Sequence, residues 1–111
     1  MESEYTEKKY YTLTFGTELV INPLYRQVHL KGRSIQLTRR EFDLLYLLAS
    51  RPGQVFSREQ LYRHIWNTDT EFGVGEAVRF QIKSLRKKLT RTGSNYIQSV
   101  REIGYCFSGN P

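Results

Sequence analysis

The segment of this sequence with the clearest chemistry is residues 77–89, AVRFQIKSLRKKL. Between positions 79 and 91 the chain carries six basic residues and no acidic one: Arg79, Lys83, Arg86, Lys87, Lys88 and Arg91. One aromatic residue, Phe80, lies inside this run. Such a segment is either a solvated helix face or a surface for a polyanion that also offers apolar groups.

The positions of these residues around a helix separate a core side from a binding side. At 100° per residue, the apolar residues fall on one side: Val78, Ile82, Leu85 and Leu89. Arg79, Lys83 and Lys87 follow at spacings of four on the other side, where Phe80 also projects. Like charges at this spacing destabilise a helix by about 0.2–0.5 kcal/mol per pair, and an exposed aromatic residue favours a partner that covers it. DNA supplies phosphates for the cations and thymine methyl groups for Phe80, so the segment predicts a DNA-binding helix.

Length and composition limit the rest of the chain. The 111 residues suffice for one small domain, and the net charge of +6 with a pI near 9.6 favours a polyanionic partner. Cys106 is the only cysteine, so an intramolecular disulfide is impossible and a reducing compartment is expected. No apolar run approaches the roughly 20 residues that cross a bilayer. We expect a cytoplasmic protein with no membrane partner.

The first third of the chain has the pattern of a small sheet. Residues 1–9 are polar and charged without periodicity, and we expect a disordered tail there. Residues 10–37 contain four short runs in which apolar and polar positions alternate, separated by turn residues such as Gly16 and Asn22-Pro23. This pattern predicts an antiparallel four-stranded meander. Tyr11 and Phe15 share the period of Leu13 and are expected on its core face.

Residues 38–91 have the pattern of three helices. Thr38 with Glu41, and Ser57 with Gln60, each match a capping box that begins a helix. The first helix should end before Pro52-Gly53 and the second near Trp66. A connection over residues 67–74 then leads to the third helix, over about residues 75–91, which Gly93 closes.

The last part of the chain predicts a hairpin. Two β-prone runs, Tyr96–Arg101 and Tyr105–Ser108, are joined through residues 102–104. Ile97 and Val100 are three residues apart, which breaks the alternation of a regular strand. We therefore expect a bulge in this hairpin.

Four motifs in this order carry a family resemblance: LTRREFDLLYLL, VFSREQLYRHIW, IKSLRKKL and YIQSVREIGYCF. Together they resemble the DNA-binding effector domain of OmpR/PhoB-type bacterial response regulators, over roughly residues 10–108. The resemblance implies an α+β fold, a winged helix-turn-helix with an N-terminal four-stranded antiparallel sheet, three helices and a C-terminal hairpin wing. It divides the chain into a sheet (10–37), helices (38–91) and a wing (94–108), with a short tail over 109–111.

The resemblance also implies roles for individual residues. The third helix would lie in the major groove, with base contacts from Phe80, Lys83 and Lys87 and from Arg79 as a fourth. Contacts with the DNA backbone, and in the minor groove for the wing, would come from Trp66, Arg58, Arg86, Ser99, Arg101 and Tyr105. Two of these have structural alternatives, since Trp66 could simply pack in the core and Arg101 could form a cross-strand ion pair with Glu102 or another surface acid.

Further partners follow from the same resemblance. In the family, the loop between the second and third helices is the surface that contacts RNA polymerase. The resemblance therefore makes Asp69, Thr70, Glu71 and Phe72 candidates for that contact. The alternative is a plain surface loop. Family members carry an N-terminal receiver domain and bind direct repeats. Some positions depart from the family. Its usual arginine and aspartate at the start of the third helix are replaced by Glu76 and Arg79, so the two charges are exchanged. Ser84 stands where a DNA-contacting arginine is common, and Glu102 places an acidic side chain at the wing tip.

Other function classes have weaker support in the residues. His29 and His64 lack metal-ligand spacing and no catalytic constellation is present, so we expect no enzyme, cofactor or metal. RNA binding would need solvent-facing aromatic residues on a sheet. The remaining alternative is a winged-helix protein-interaction module that binds an acidic partner. The sequence favours sequence-specific binding of double-stranded DNA by the effector domain of a bacterial two-component transcriptional regulator.

Overall fold

The computed structural model describes residues 11–68, 73–90 and 95–109. The chain forms two compact units that divide after Gln36. The predicted tail over residues 1–9, the stop at Gly93 and the proposed polymerase loop over residues 69–72 lie outside the described residues. In the described part of the chain, no helix is long and apolar enough to cross a membrane.

The first unit contains the predicted four-stranded meander. Strands β1 (Leu13–Phe15), β2 (Leu19–Asn22), β3 (Gln27–Leu30) and β4 (Arg33–Ile35) pair antiparallel in chain order. The register places Leu19 opposite Leu30 and Ile21 opposite Val28, and all four side chains are buried. The turn between β2 and β3 is closed by the Asn22 side chain, whose Oδ1 accepts from the backbone N–H groups of residues 24 and 25.

Two details of the sheet differ from the prediction. Leu37 lies beyond the end of β4. Tyr11 precedes β1 and is 55% exposed, so its predicted place on the core face is wrong, whereas Leu13 and Phe15 are half-buried. The three-residue strand β1 is too short to extend its alternation back to residue 11.

The first two helices of the second unit begin at the predicted capping boxes. Helix α1 spans Arg39–Ala49, with Thr38 Oγ1 accepting from the Glu41 N–H (3.2 Å) and Glu41 Oε1 accepting from the Thr38 N–H (2.8 Å). Helix α2 spans Arg58–Trp66, with the same reciprocal bonds between Ser57 and Gln60 (3.1 and 2.8 Å). Each box satisfies backbone donors that the first turn of a helix leaves without partners.

The third helix, α3, spans Val74–Leu89. Its predicted core stripe is confirmed, because Val78, Ile82, Leu85 and Leu89 are all buried. The helix ends two residues before the predicted limit of residue 91. The backbone N–H and the hydroxyl of Thr90 both donate to the carbonyl oxygen of Arg86, which caps the last turn at that point.

A second sheet completes this unit. Strands β6 (Ile97–Val100) and β7 (Gly104–Phe107) form the predicted hairpin, and a two-residue strand β5 (Phe56–Ser57) adds to β7 in the order β5-β7-β6. The predicted bulge is wrong, because four consecutive residue pairs join β6 to β7. Ile97 and Val100 simply lie on opposite faces, as positions three apart in a regular strand must.

The junction between β5 and β7 requires a glycine. A Cβ atom added at Gly104 would lie 1.9 Å from the carbonyl oxygen of Phe56. Only a residue without a side chain allows the two backbones to approach this closely. Three helices followed by a hairpin wing confirm the predicted winged-helix architecture.

Candidate nucleic-acid interface

One face of helix α3 is open to solvent and carries the four predicted base-contacting residues. Arg79, Phe80, Lys83 and Lys87 are all exposed. Phe80 is 68% exposed, so the predicted helical phase, with Phe80 opposite the core, is confirmed. A basic face with a central exposed aromatic ring offers charge for phosphates and an apolar surface for a base edge.

Helix α1 contacts one flank of α3 through a buried carboxylate. Glu41 is 2% exposed, and its Oε1 lies 2.6 Å from Nζ of Lys88. The hydroxyl of Ser84 donates to the other carboxylate oxygen, Oε2. The same glutamate thus closes the capping box of α1 and accepts hydrogen bonds from two side chains of α3. Ser84, which occupies a position where the family resemblance implies a DNA-contacting arginine, is instead directed toward Glu41.

Opposing influences set the pKa of Glu41. Burial by itself raises it, because a charged carboxylate loses its hydration. Hydrogen bonds from Lys88, Ser84 and the backbone of Thr38, together with the positive charge of Lys88, outweigh burial and bring the pKa below its ordinary value. The carboxylate is therefore ionised at neutral pH and holds the two α3 side chains as an acceptor.

The wing contacts the opposite flank of α3 through Arg86. Its Nε donates to the carbonyl oxygen of Ile97 (3.1 Å), and its Nη2 donates to Oγ of Ser99 (2.7 Å). The guanidinium carbon lies 5.6 Å from the ring centroid of Tyr105. The structure therefore brings together Arg86, Ser99 and Tyr105, three residues predicted to contact DNA. An arginine has five N–H donors, so these two bonds leave others for a ligand.

A small recess lies at the wing beside the start of α2. It has a volume of about 110 Å³, and residues lining it include Arg58, Ser99, Arg101, Glu102 and Tyr105. Arg101 and Glu102 are exposed, and no ion pair joins them in the described structure, which does not support the structural alternative for Arg101. Glu102 adopts a left-handed backbone conformation (φ 66°) at the wing tip.

Trp66 lies on the other side of the interface and both packs and remains accessible. It is half-buried and stacks on Tyr62, with ring centroids 4.8 Å apart. The guanidinium carbon of Arg40 lies 4.8 Å from the centre of its ring. The sequence reasoning missed Arg40 because it is 26 positions away from Trp66, and no local pattern links the two residues.

Comparisons with known proteins agree with this geometry. Residues 32–107 match the family described as the C-terminal domain of transcriptional regulatory proteins. The chain belongs to this family. OmpR/PhoB-type effector domains are therefore its relatives by descent as well as by motif.

Several curated members of the family are similar to this chain. It is 43% identical over 88 residues to the uncharacterized transcriptional regulatory protein YclJ of Bacillus subtilis, which covers 78% of this chain and 38% of YclJ. It is 41% identical over 88 residues to the heme response regulator HssR of Staphylococcus saprophyticus, which covers 78% of this chain and 39% of HssR. The chain thus spans about two-fifths of the length of these relatives.

Solved structures of the family include a complex with DNA. The RstA DNA-binding domain of Klebsiella pneumoniae in complex with the RstA box is 36% identical, with a TM-score of 0.80 over 90% of this chain and 99% of that one. The DNA-binding domain of CpxR from Escherichia coli is also 36% identical, with a TM-score of 0.74 over 87% of this chain and 95% of that one. These similarities confirm the predicted fold class.

Proposed function

We propose that this chain binds double-stranded DNA sequence-specifically, as the effector domain of a bacterial two-component transcriptional regulator. The observation that carries the proposal is the exposed face of α3, where Phe80 lies among three cations and the core stripe faces the opposite way. The chain belongs to a family of transcriptional regulators, and a relative of similar fold is known in complex with its DNA box.

Helix α3 would read the major groove. An α-helix with side chains is about 10–12 Å wide, which fits a groove about 12 Å wide. Phe80 would contact a thymine methyl group, while Lys83 and Lys87 would donate to base acceptors. Arg79 stands at the start of the same face, and no ion pair with Glu76 is found among the described residues to hold its guanidinium away from the groove.

The surrounding elements would hold the DNA backbone. Arg58, Arg86, Ser99 and Tyr105 lie together on the wing side of α3, and Arg101 stands at the wing tip, where a minor groove would pass. Trp66 would meet a phosphate from the other side. Phosphate contacts of this kind set the orientation of α3 and carry no sequence information themselves.

The proposal extends to the complete regulator. We infer that a receiver domain precedes this chain, that two copies bind direct repeats, and that the protein acts in the cytoplasm without enzymatic activity of this domain. Asp69, Thr70, Glu71 and Phe72 remain the proposed contact with RNA polymerase. Support for a longer regulator comes from the relatives, of which this chain spans about two-fifths.

Selection from random-sequence duplexes tests the proposal directly. We expect a recovered motif, whose log affinity falls against log salt with a slope of about −0.9 for each phosphate contact. If no motif emerges and scrambled duplex competes equally, sequence-specific reading is excluded, and an acidic protein partner of α3 becomes the better explanation.

Phe80→Ala then tests the role of the exposed ring. We expect the preference for one base step to fall by about three- to tenfold with non-specific affinity unchanged, since only an apolar contact is lost. Leu24→Ala is a matched control, because Leu24 is an apolar residue that is 67% exposed and is not one of the proposed interface residues. An equal loss of affinity on all duplexes would contradict a base contact by Phe80.

A further inference from the structure

The two flanks of α3 differ in how they could meet DNA. A helix in the major groove has one sugar–phosphate strand on each side. On the wing flank, Arg58, Arg86 and Ser99 are the proposed donors for one strand. On a helical wheel, Gln81 and Ser84 mark the opposite flank, where helix α1 packs against α3. Residues on this flank are therefore the candidates for contact with the second strand, an inference that rests on the proposed function.

An open cleft lies on this opposite flank. Its volume is about 540 Å³, and residues lining it include Arg39, Arg40, Asp43, Trp66, Asn67 and Gln81. Gln81 follows Phe80 directly in α3, so the cleft borders the exposed binding face. Two guanidinium groups and one carboxylate leave the cleft with a positive charge, which favours an anion.

Arg40 is the residue in this cleft best placed for a ligand. It is exposed, and its guanidinium lies over the Trp66 ring at 4.8 Å. Within the described residues, the Trp66 ring contacts Arg40 and no carboxylate pairs with it. Stacking on an aromatic face orients the planar guanidinium while its N–H edges stay available for hydrogen bonds.

Thr38, which also lines the cleft at the start of α1, is already engaged in the capping box. The hydroxyl and the N–H of Thr38 both belong to the capping box with Glu41. What distinguishes the cleft is an arginine that is oriented by an indole ring and that pairs with no acidic residue in the described part of the chain.

We propose that Arg40, oriented by Trp66, binds a phosphate of the DNA strand on the side of the major groove opposite the wing. Asn67, exposed at the end of α2, lines the same cleft and supplies a second donor. Arg40 and the wing would then clamp the two strands from opposite sides of α3. This arrangement would set the rotation of α3 in the groove, while Phe80 and the lysines read the bases.

Three variants of the chain test this assignment. Arg40→Gln removes the charge but keeps a polar side chain, and Arg40→Lys restores the charge without the planar group. Arg51→Gln is the matched control, because Arg51 is an exposed arginine beyond the other end of α1, about 16 Å away along the helix axis. Thermal unfolding of each variant checks that the fold is retained.

Affinity for the selected duplex and for scrambled duplex is then measured between 50 and 200 mM salt. Over this range one phosphate contact accounts for roughly a 3.5-fold change in affinity. We expect Arg40→Gln to lose about three- to tenfold on both duplexes at low salt and to show the shallower slope of one fewer contact. Arg40→Lys should recover the slope, and Arg51→Gln should match the unaltered chain.

Neutral methylphosphonate groups, placed one at a time in the selected duplex, locate the contact. At one position on the strand opposite the wing, neutralisation should weaken the unaltered chain and have no further effect on Arg40→Gln. Equal behaviour of Arg40→Gln and Arg51→Gln would overturn the assignment while the unaltered chain still binds DNA. A loss restricted to one base step would also overturn it, by showing a base contact. Failure of the unaltered chain to bind any duplex would instead refute the proposed function.

Discussion

Helix α3 is held on its two flanks by different chemistry. On the α1 flank, the almost fully buried carboxylate of Glu41 accepts hydrogen bonds from Lys88 and Ser84 and also caps α1. On the wing flank, Arg86 donates to a carbonyl oxygen and to a serine hydroxyl, and its outer edge reaches solvent. Both flanks join α3 to a neighbouring element, but only the first does so around a buried charge.

This difference separates stability from recognition. A buried charge is costly to leave without partners, so the Glu41 contacts constrain where α3 lies against α1. The contacts of Arg86 join a half-buried guanidinium to neutral acceptors, so breaking them leaves no buried charge without a partner, and they can exchange with water or phosphate. We infer that the α1 flank fixes the helix and that the wing flank remains adjustable, which suits an element that is proposed to contact DNA.

The largest expected effect is on the α1 flank. Glu41→Ala should lower the free energy of unfolding by about 2–4 kcal/mol, because it removes half of a capping box and the shared acceptor of two α3 side chains. Urea denaturation at neutral pH measures this loss. Glu59→Ala is the control, since Glu59 also lies in a first helical turn but is exposed, and it should cost less than about 1 kcal/mol. Equal losses would mean that burial of Glu41 has no energetic consequence.

An intermediate effect is expected for Lys88→Met, and it should depend on pH. In the unaltered chain the pKa of Glu41 is lower in the folded state than its ordinary value of 4.5. Its contribution to stability is therefore complete above that value and is lost as the pH falls through the lowered pKa. Lys88→Met removes the strongest of the interactions that counteract the effect of burial, so the pKa of Glu41 should rise.

Urea denaturation between pH 7 and pH 4 tests this dependence. We expect Lys88→Met to cost about 1–2 kcal/mol at pH 7, where Glu41 is left charged with fewer partners, and less at pH 4, where the carboxyl takes up a proton. Lys83→Met is the control, since Lys83 is exposed on the same helix, and its cost should be small and constant across this range. A constant cost for Lys88→Met would show that its charge does not act on Glu41.

The smallest effect on stability is expected on the wing flank. Arg86→Gln should change the free energy of unfolding by less than about 1 kcal/mol and should speed amide hydrogen exchange in β6 and β7. Affinity for the selected duplex should nevertheless fall by about tenfold, through loss of a phosphate contact and of the link to the wing. Ser99→Ala, which removes one acceptor of Arg86, should show a weaker form of both changes. If Arg86→Gln destabilises as much as Glu41→Ala, the distinction between the two flanks is wrong.

Much of the fold could be predicted because its signals are local. The capping boxes at Thr38 and Ser57 lie within four residues of sequence, and both are present in the structure. The core stripe of α3 follows from the period of one helix, and it is buried as predicted. The predictions that failed concern strand ends and pairing: Tyr11, the wing bulge and the unforeseen strand β5. A two-residue strand has no period to read and exists only because its partner β7 is nearby.

The sequence by itself determined which face of α3 is basic and which is apolar, because helical geometry converts spacing along the chain into direction in space. It also determined where α1 and α2 begin, because a capping box is complete within four residues. Only the tertiary structure decided what each flank of α3 contacts. Glu41 meets Lys88 across 47 positions, Arg86 meets Ser99 across 13, and Arg40 meets Trp66 across 26. Such pairs depend on how separate elements pack, and no local pattern encodes that packing.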